Sequence, residues 1–149
     1  NSIKKHLQDL LDNQIKFTVI GDLSHLPENI KNTIEYAERV TSKFTKYRLN
    51  IAYNYGGQWD LVNSINTLLS KKLVISHENL SKYLSTGNDF PDLIVRTGGY
   101  KRLSNFMLWQ AAYSELIFLD TLWPEFSSND VSNILGNYKS IKRKFGKVD

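Results

Sequence analysis

The chain has 149 residues, 41% of them hydrophobic and 23% charged, and a net charge of +4. That length and apolar content suffice for one globular domain with a buried core. No run reaches the roughly 18 apolar residues of a membrane span, and nothing resembles a secretory signal. Cysteine is absent, which excludes disulfides and thiolate metal sites and fits a cytoplasmic location.

In chain order, helix and strand patterns alternate. Ile3, Leu7, Leu10 and Leu11 have helical spacing, and Phe17-Thr18-Val19-Ile20 reads as a buried strand ending at Gly21. Pro27 stands near the start of a second helix with Ile30, Ile34, Ala37 and Val40 on one stripe. Leu49 to Tyr53 reads as a strand, stopped by Gly56-Gly57. Asp60 is placed to cap a third helix that buries Leu61, Ile65, Leu68 and Leu69. His77 to Leu84 reads as a short helix, Thr86 to Pro91 as a loop and Leu93 to Arg96 as the third strand. Ser104 to Ala112 is predicted helical, Leu116 to Leu119 a fourth strand, and a last helix starts near Ser128. That helix carries Val131, Ile134, Leu135, Tyr138, Ile141 and Phe145 on one side. Strands separated by helices predict an α/β fold, a mainly parallel sheet with flanking helices, forming one domain over 1–149 or part of one.

The segment after the third strand concentrates chemistry. Arg96 follows a rigid apolar run, Gly98 and Gly99 allow a sharp turn and close approach to a ligand, and Arg102 and Ser104 add a second cation and a hydroxyl. Open α/β sheets bind ligands just beyond the carboxyl ends of their strands, so a phosphate or diphosphate is the expected occupant. The bland reading is a turn with two surface arginines and an ordinary cap. Glu115, among Trp109, Tyr113 and Leu116, is a candidate Mg²⁺ ligand or a structural ion-pair partner. It enters its strand where Arg96 leaves another, so a parallel sheet would separate them.

Other candidates are weaker. His6, His25 and His77 lack metal-ligand spacing, while Asp22 and Asp120 follow strands, where aspartate is ordinary turn chemistry. Asn54-Tyr55-Gly56-Gly57 is a second candidate for a crevice wall. Lys139, Lys142, Arg143, Lys144 and Lys147 read as a solvated helix face in preference to a nucleic-acid patch.

PDLIVRTGGYKRLSNFMLWQAAYSELIFLDTLWPEF resembles the C-terminal signature of cis-prenyltransferases, the undecaprenyl diphosphate synthase group of isoprenyl transferases. LNIAYNYGGQWDLV is similar to that family's NYGGRWDI segment, FTVIGDLSHLP to its preceding strand and loop, and RKFG to its basic closing segment. The resemblance implies cis-isoprenyl chain elongation, in which isopentenyl diphosphate is added to an allylic diphosphate with a Z double bond at each step. It implies that Arg96, Arg102, Leu103 and Ser104 bind isopentenyl diphosphate. It further implies that Glu115 is associated with Mg²⁺ and that the protein is a homodimer using the surface from Asn105 to Phe118. No nucleic-acid partner is implied, and membrane contact is at most peripheral, through the lipid product.

The family's first signature, an HxxxIMDGNGRWA-like strand and loop with the catalytic aspartate, has no counterpart in these residues, nor has its FSxENWxRP-like segment. Since the chain also opens on Asn1, it is expected to be the C-terminal portion of a longer enzyme, inactive alone. Tyr100 stands where the family usually has Glu, and Gln58 where it usually has Arg. Two alternatives remain open at this point: a non-catalytic partner subunit of a heteromeric prenyltransferase, and a generic phosphate-binding α/β module.

Overall fold

The computed structural model describes residues 2–143. The chain divides into two compact units, Asn1–Gly87 and Asn88–Asp149. Each carries one pair of parallel strands, so the α/β expectation holds within both.

The first unit comprises α1 (Ser2–Asp12), β1 (Ile15–Ile20), α2 (Glu28–Thr41), β2 (Tyr47–Ala52), α3 (Gly57–Ser70) and α4 (His77–Tyr83). Leu10 of α1, Phe17 of β1 and Ala37 of α2 form the core, with Leu7, Ile15 and Val19 packed against it. These are the positions that the 3.6-residue period of the helices and the alternation of β1 turn inward. β1 and β2 pair in parallel from Ile15 opposite Tyr47 to Ile20 opposite Ala52, with α2 as the crossover. The other edge of β1 is sealed by α2 side chains. Phe17 N–H donates to Thr41 Oγ1 at 3.1 Å and Val19 N–H to Glu38 Oε1 at 2.8 Å, which removes donors that an open edge would present. At the end of β1, Gly21 has φ 113°, and a Cβ there would lie 2.1 Å from the Tyr53 carbonyl oxygen. Only glycine fits.

Two expectations for α3 need correction. The helix begins at Gly57 behind Gly56, so Asp60 lies inside its first turn and does not cap it. Its buried stripe is Gly57, Asp60, Ser64 and Leu68, whereas Leu69 is exposed. The reason is polar anchoring. Asp60 Oδ1 accepts from the Ser85 amide (2.9 Å) and hydroxyl (2.7 Å), Asp60 Oδ2 from the Tyr55 hydroxyl (2.9 Å), and Ser64 Oγ donates to the Tyr83 carbonyl (3.0 Å). A satisfied buried carboxylate thus displaces an apolar side chain from the stripe.

The second unit comprises β3 (Leu93–Arg96), β4 (Glu115–Phe118), a short 3-10 turn (Trp123–Glu125) and α5 (Ser128–Ser140). β3 and β4 pair in parallel, Leu93 opposite Glu115 and Arg96 opposite Phe118. The helix predicted over 104–112 is absent. Ser104, Asn105 and Met107 have φ of 48°, 64° and 47°, left-handed values that no right-handed helix accommodates. Separate turns replace it, such as Phe106 N–H to Leu103 O and Ala111 N–H to Met107 O. α5 starts as expected, with a capping box in which Ser127 Oγ accepts from the Asp130 amide and the Asp130 carboxylate accepts from the Ser127 amide. Of its predicted stripe, Ile134 is buried and Val131, Leu135 and Ile141 are exposed. Phe145, Lys144 and Lys147 lie outside the described residues. No helix among the described residues is long and apolar enough to cross a membrane.

Candidate functional site

A cleft of about 360 Å³ opens in the second unit, beyond the carboxyl end of β3. It is lined by polar Arg96, Thr97, Arg102 and Ser104 and by apolar Ile94, Val95, Leu103 and Phe106. All four residues expected to bind a diphosphate, Arg96, Arg102, Leu103 and Ser104, therefore meet at one cavity. Thr97, Phe106 and the two strand residues were not among them. The signal that could have found Thr97 is its place between Arg96 and Gly98 in the same turn.

Arg96 organises the wall. Its Nη1 donates to the Ser104 hydroxyl at 2.8 Å and to the Arg102 carbonyl. These contacts hold the turn after Gly99 against the end of β3 and account for the left-handed Ser104, with the helical pattern overridden. Both acceptors are neutral, so the guanidinium keeps its whole charge. Neither Arg96 nor Arg102 is in an ion pair among the described residues. Both guanidiniums instead face the Tyr100 ring, Arg102 at 4.3 Å and Arg96 at 5.8 Å from its centroid.

The sharp turn expected of the two glycines is present. Gly98 and Gly99 do take up positive φ, 90° and 78°, which lets the chain reverse. Their amides are already engaged, donating to the Thr121 carbonyl (2.9 Å) and the Leu119 carbonyl (2.8 Å). Those two amides are therefore not free to face the cleft.

Glu115 opens β4 at the end opposite Arg96; three residues along a strand is about 10 Å. Among the described residues no three His, Cys, Asp or Glu side chains converge to hold a cation. Glu115 is therefore in no such cluster among the described residues, whereas Mg²⁺ takes an octahedral set of oxygens. His6, His25 and His77 are exposed, and His6 lies 3.2 Å from Asp9 in the next turn of α1. Hydrogen bonding from the Ser24 side chain, and next from the Ser24 amide at 2.9 Å, holds the Asp22 carboxyl below the usual range.

Among the described residues, the basic cluster is not one solvated helix face. α5 ends at Ser140, and Arg143 turns back to pair with Asp92 while donating to the Tyr138 hydroxyl (3.1 Å) and the Tyr113 carbonyl (3.0 Å). The bond to Asp92 raises its pKa further, so it stays charged.

Residues 1–146 match the profile of a prenyltransferase family described as "Putative undecaprenyl diphosphate synthase". A ditrans,polycis-undecaprenyl-diphosphate synthase, farnesyl-diphosphate specific, from Buchnera aphidicola is 42% identical over 97% of the chain, which spans 61% of that protein. Among solved structures, a probable undecaprenyl diphosphate synthase from Campylobacter jejuni superposes with a TM-score of 0.89 at 32% identity, over 98% of this chain and 70% of that one. Lavandulyl diphosphate synthase from Lavandula x intermedia, in complex with dimethylallyl diphosphate, gives 0.86 at 32% identity, over 97% and 66%.

Proposed function

The chain belongs to the undecaprenyl diphosphate synthase family of prenyltransferases, and on that premise we propose that its second unit carries the isopentenyl diphosphate half-site of a cis-isoprenyl chain-elongating enzyme. The reaction condenses isopentenyl diphosphate with an allylic diphosphate to give a Z-polyprenyl diphosphate. The observation that carries this reading is the convergence of Arg96, Arg102 and Ser104 on one cleft that apolar side chains also line.

The chemistry divides between these two kinds of side chain. Two uncompensated guanidiniums present planar donor forks to paired phosphate oxygens, and the Ser104 hydroxyl, already accepting from Arg96, keeps its proton to donate. Leu103, Phe106 and Ile94 offer the isoprenoid carbons a dry surface. Fixing the diphosphate at one end aims the homoallylic double bond, which must attack the allylic carbon as its C–O bond breaks and then lose a proton. Positioning of this kind turns an encounter between two substrates into a reaction within one complex.

Glu115 is the residue of this chain that would contribute a carboxylate to Mg²⁺, with its partners supplied from outside the described residues. A homodimer burying the exposed apolar side chains Phe106, Leu108 and Leu116 would bring a second copy's groups to this surface. These 149 residues, which contain no counterpart of the family's catalytic-aspartate motif, are assigned substrate binding without turnover. The alternative of a partner subunit relieved of catalysis leaves the intact arginine pair unexplained.

The test is calorimetry of the chain with isopentenyl diphosphate. Removing one charged partner costs roughly 1.5–3 kcal/mol, so Arg96→Ala and Arg102→Ala should each weaken binding at least about tenfold. Unchanged affinity in both would refute the assignment, and chain elongation by these residues alone would refute the division of labour.

A further inference from the structure

We propose that Tyr100 is a positioning residue of the diphosphate site: its ring pre-orders Arg96 and Arg102 as a pair while leaving their charges available to the ligand. This rests on the diphosphate reading of the cleft and adds to it a residue that does not line the cavity.

The geometry is specific. Arg102 leaves the backbone from an exposed turn, where a long side chain has many rotamers, yet its guanidinium lies 4.3 Å from the Tyr100 centroid. Arg96 reaches the same ring at 5.8 Å from the end of β3. One ring thereby gathers two like charges that would otherwise repel and separate. The quadrupole of the ring attracts both cations. Tyr100 is 58% exposed, so core packing does not fix its ring, and both guanidiniums lie over it.

Two further facts favour an organising role. Gly98 and Gly99, immediately before Tyr100, are fixed by the hydrogen bonds their N–H groups donate to the Thr121 and Leu119 carbonyls, so the ring projects from an anchored turn. Arg96 and Arg102 also touch through the Arg102 carbonyl, so ordering one guanidinium restricts the backbone of the other. Freezing a flexible side chain before the ligand arrives removes that entropic cost from binding.

The experiment is a calorimetric titration of the full chain with inorganic diphosphate, with far-UV circular dichroism as a check on folding. Tyr100→Leu should bind roughly five- to twentyfold more weakly with the fold intact, and Tyr100→Phe, which keeps the ring, should stay within about twofold of wild type. Should Tyr100→Leu misfold, Tyr100→Ser reads the same quantity. Arg96→Ala separates the two levels. If Arg96→Ala binds as wild type does, the diphosphate site itself is wrong; if Arg96→Ala weakens binding but Tyr100→Leu does not, only the role of Tyr100 is overturned.

Discussion

Asp60 offers the most quantitative test of the first unit. It is fully buried and accepts from Ser85 N–H at 2.9 Å, Ser85 Oγ at 2.7 Å and the Tyr55 hydroxyl at 2.9 Å. Hydrogen bonds to a charged group contribute about 1.5–3 kcal/mol each, but the sum of three overstates the loss on Asp60→Ala. The two hydroxyls lie in partly buried residues and can turn toward water, whereas the Ser85 amide cannot leave its place. Removing a buried carboxylate also relieves its desolvation. The net expectation is a loss of about 2–4 kcal/mol, a large share of the 5–15 kcal/mol typical of a domain. In urea, where small proteins have slopes of roughly 1–3 kcal/mol/M, the midpoint should fall by about 1–2 M. A double-mutant cycle with Ser85→Ala should give a coupling of about 1 kcal/mol or more. A loss under about 0.5 kcal/mol, the range of ordinary surface changes, would refute the anchoring role.

Three other outcomes are expected. Gly21→Ala should be severely destabilising, since its methyl meets the Tyr53 carbonyl at 2.1 Å and its φ of 113° is unfavourable for alanine; thermal melting near that of wild type would contradict the close approach of the two strand ends. The hydrogen bonds from Ser127 hold the Asp130 carboxyl below its ordinary pKa of 3.8, so its stabilisation is present above that pH and is lost as acid protonates it below about pH 4. Asp130→Asn should flatten the acid limb of a pH–stability curve relative to wild type, and identical limbs would exclude the capping box as a contributor. Phe106→Asp should convert a dimer at micromolar concentration to a folded monomer by light scattering and circular dichroism, and a wild type that is already monomeric would defeat the dimer.

Local signals were legible where local chemistry decides. β3 falls on Leu93–Arg96, as expected, because an apolar run is bounded by Pro91-Asp92 and Gly98-Gly99, and α4 and α5 begin behind their serine caps. The four diphosphate-binding candidates share one cleft because they lie within nine residues of one strand end. The failures are non-local. Asp60 reads as a cap within its own helix, yet its main partner is Ser85, 25 residues on. Arg143 reads as one of a solvated run, yet it is tied to Asp92, 51 residues back. Residues 104–112 have helical composition, but the hydrogen bonds of Arg96 to Arg102 and Ser104 set the backbone there. Likewise no glycine pattern could disclose that the amides of Gly98 and Gly99 are taken by the loop after β4.

The central claim is that a diphosphate is gripped by two arginines of five. Side-chain NMR of the arginine Nε–Hε groups during titration with isopentenyl diphosphate tests it most directly, because Arg39, Arg48 and Arg143 serve as internal controls in the same sample. Resonances of Arg96 and Arg102 should shift together and saturate with one binding constant while the other three stay in place. Shifts confined to Arg39, Arg48 or Arg143, or no saturable shift at Arg96, would contradict it.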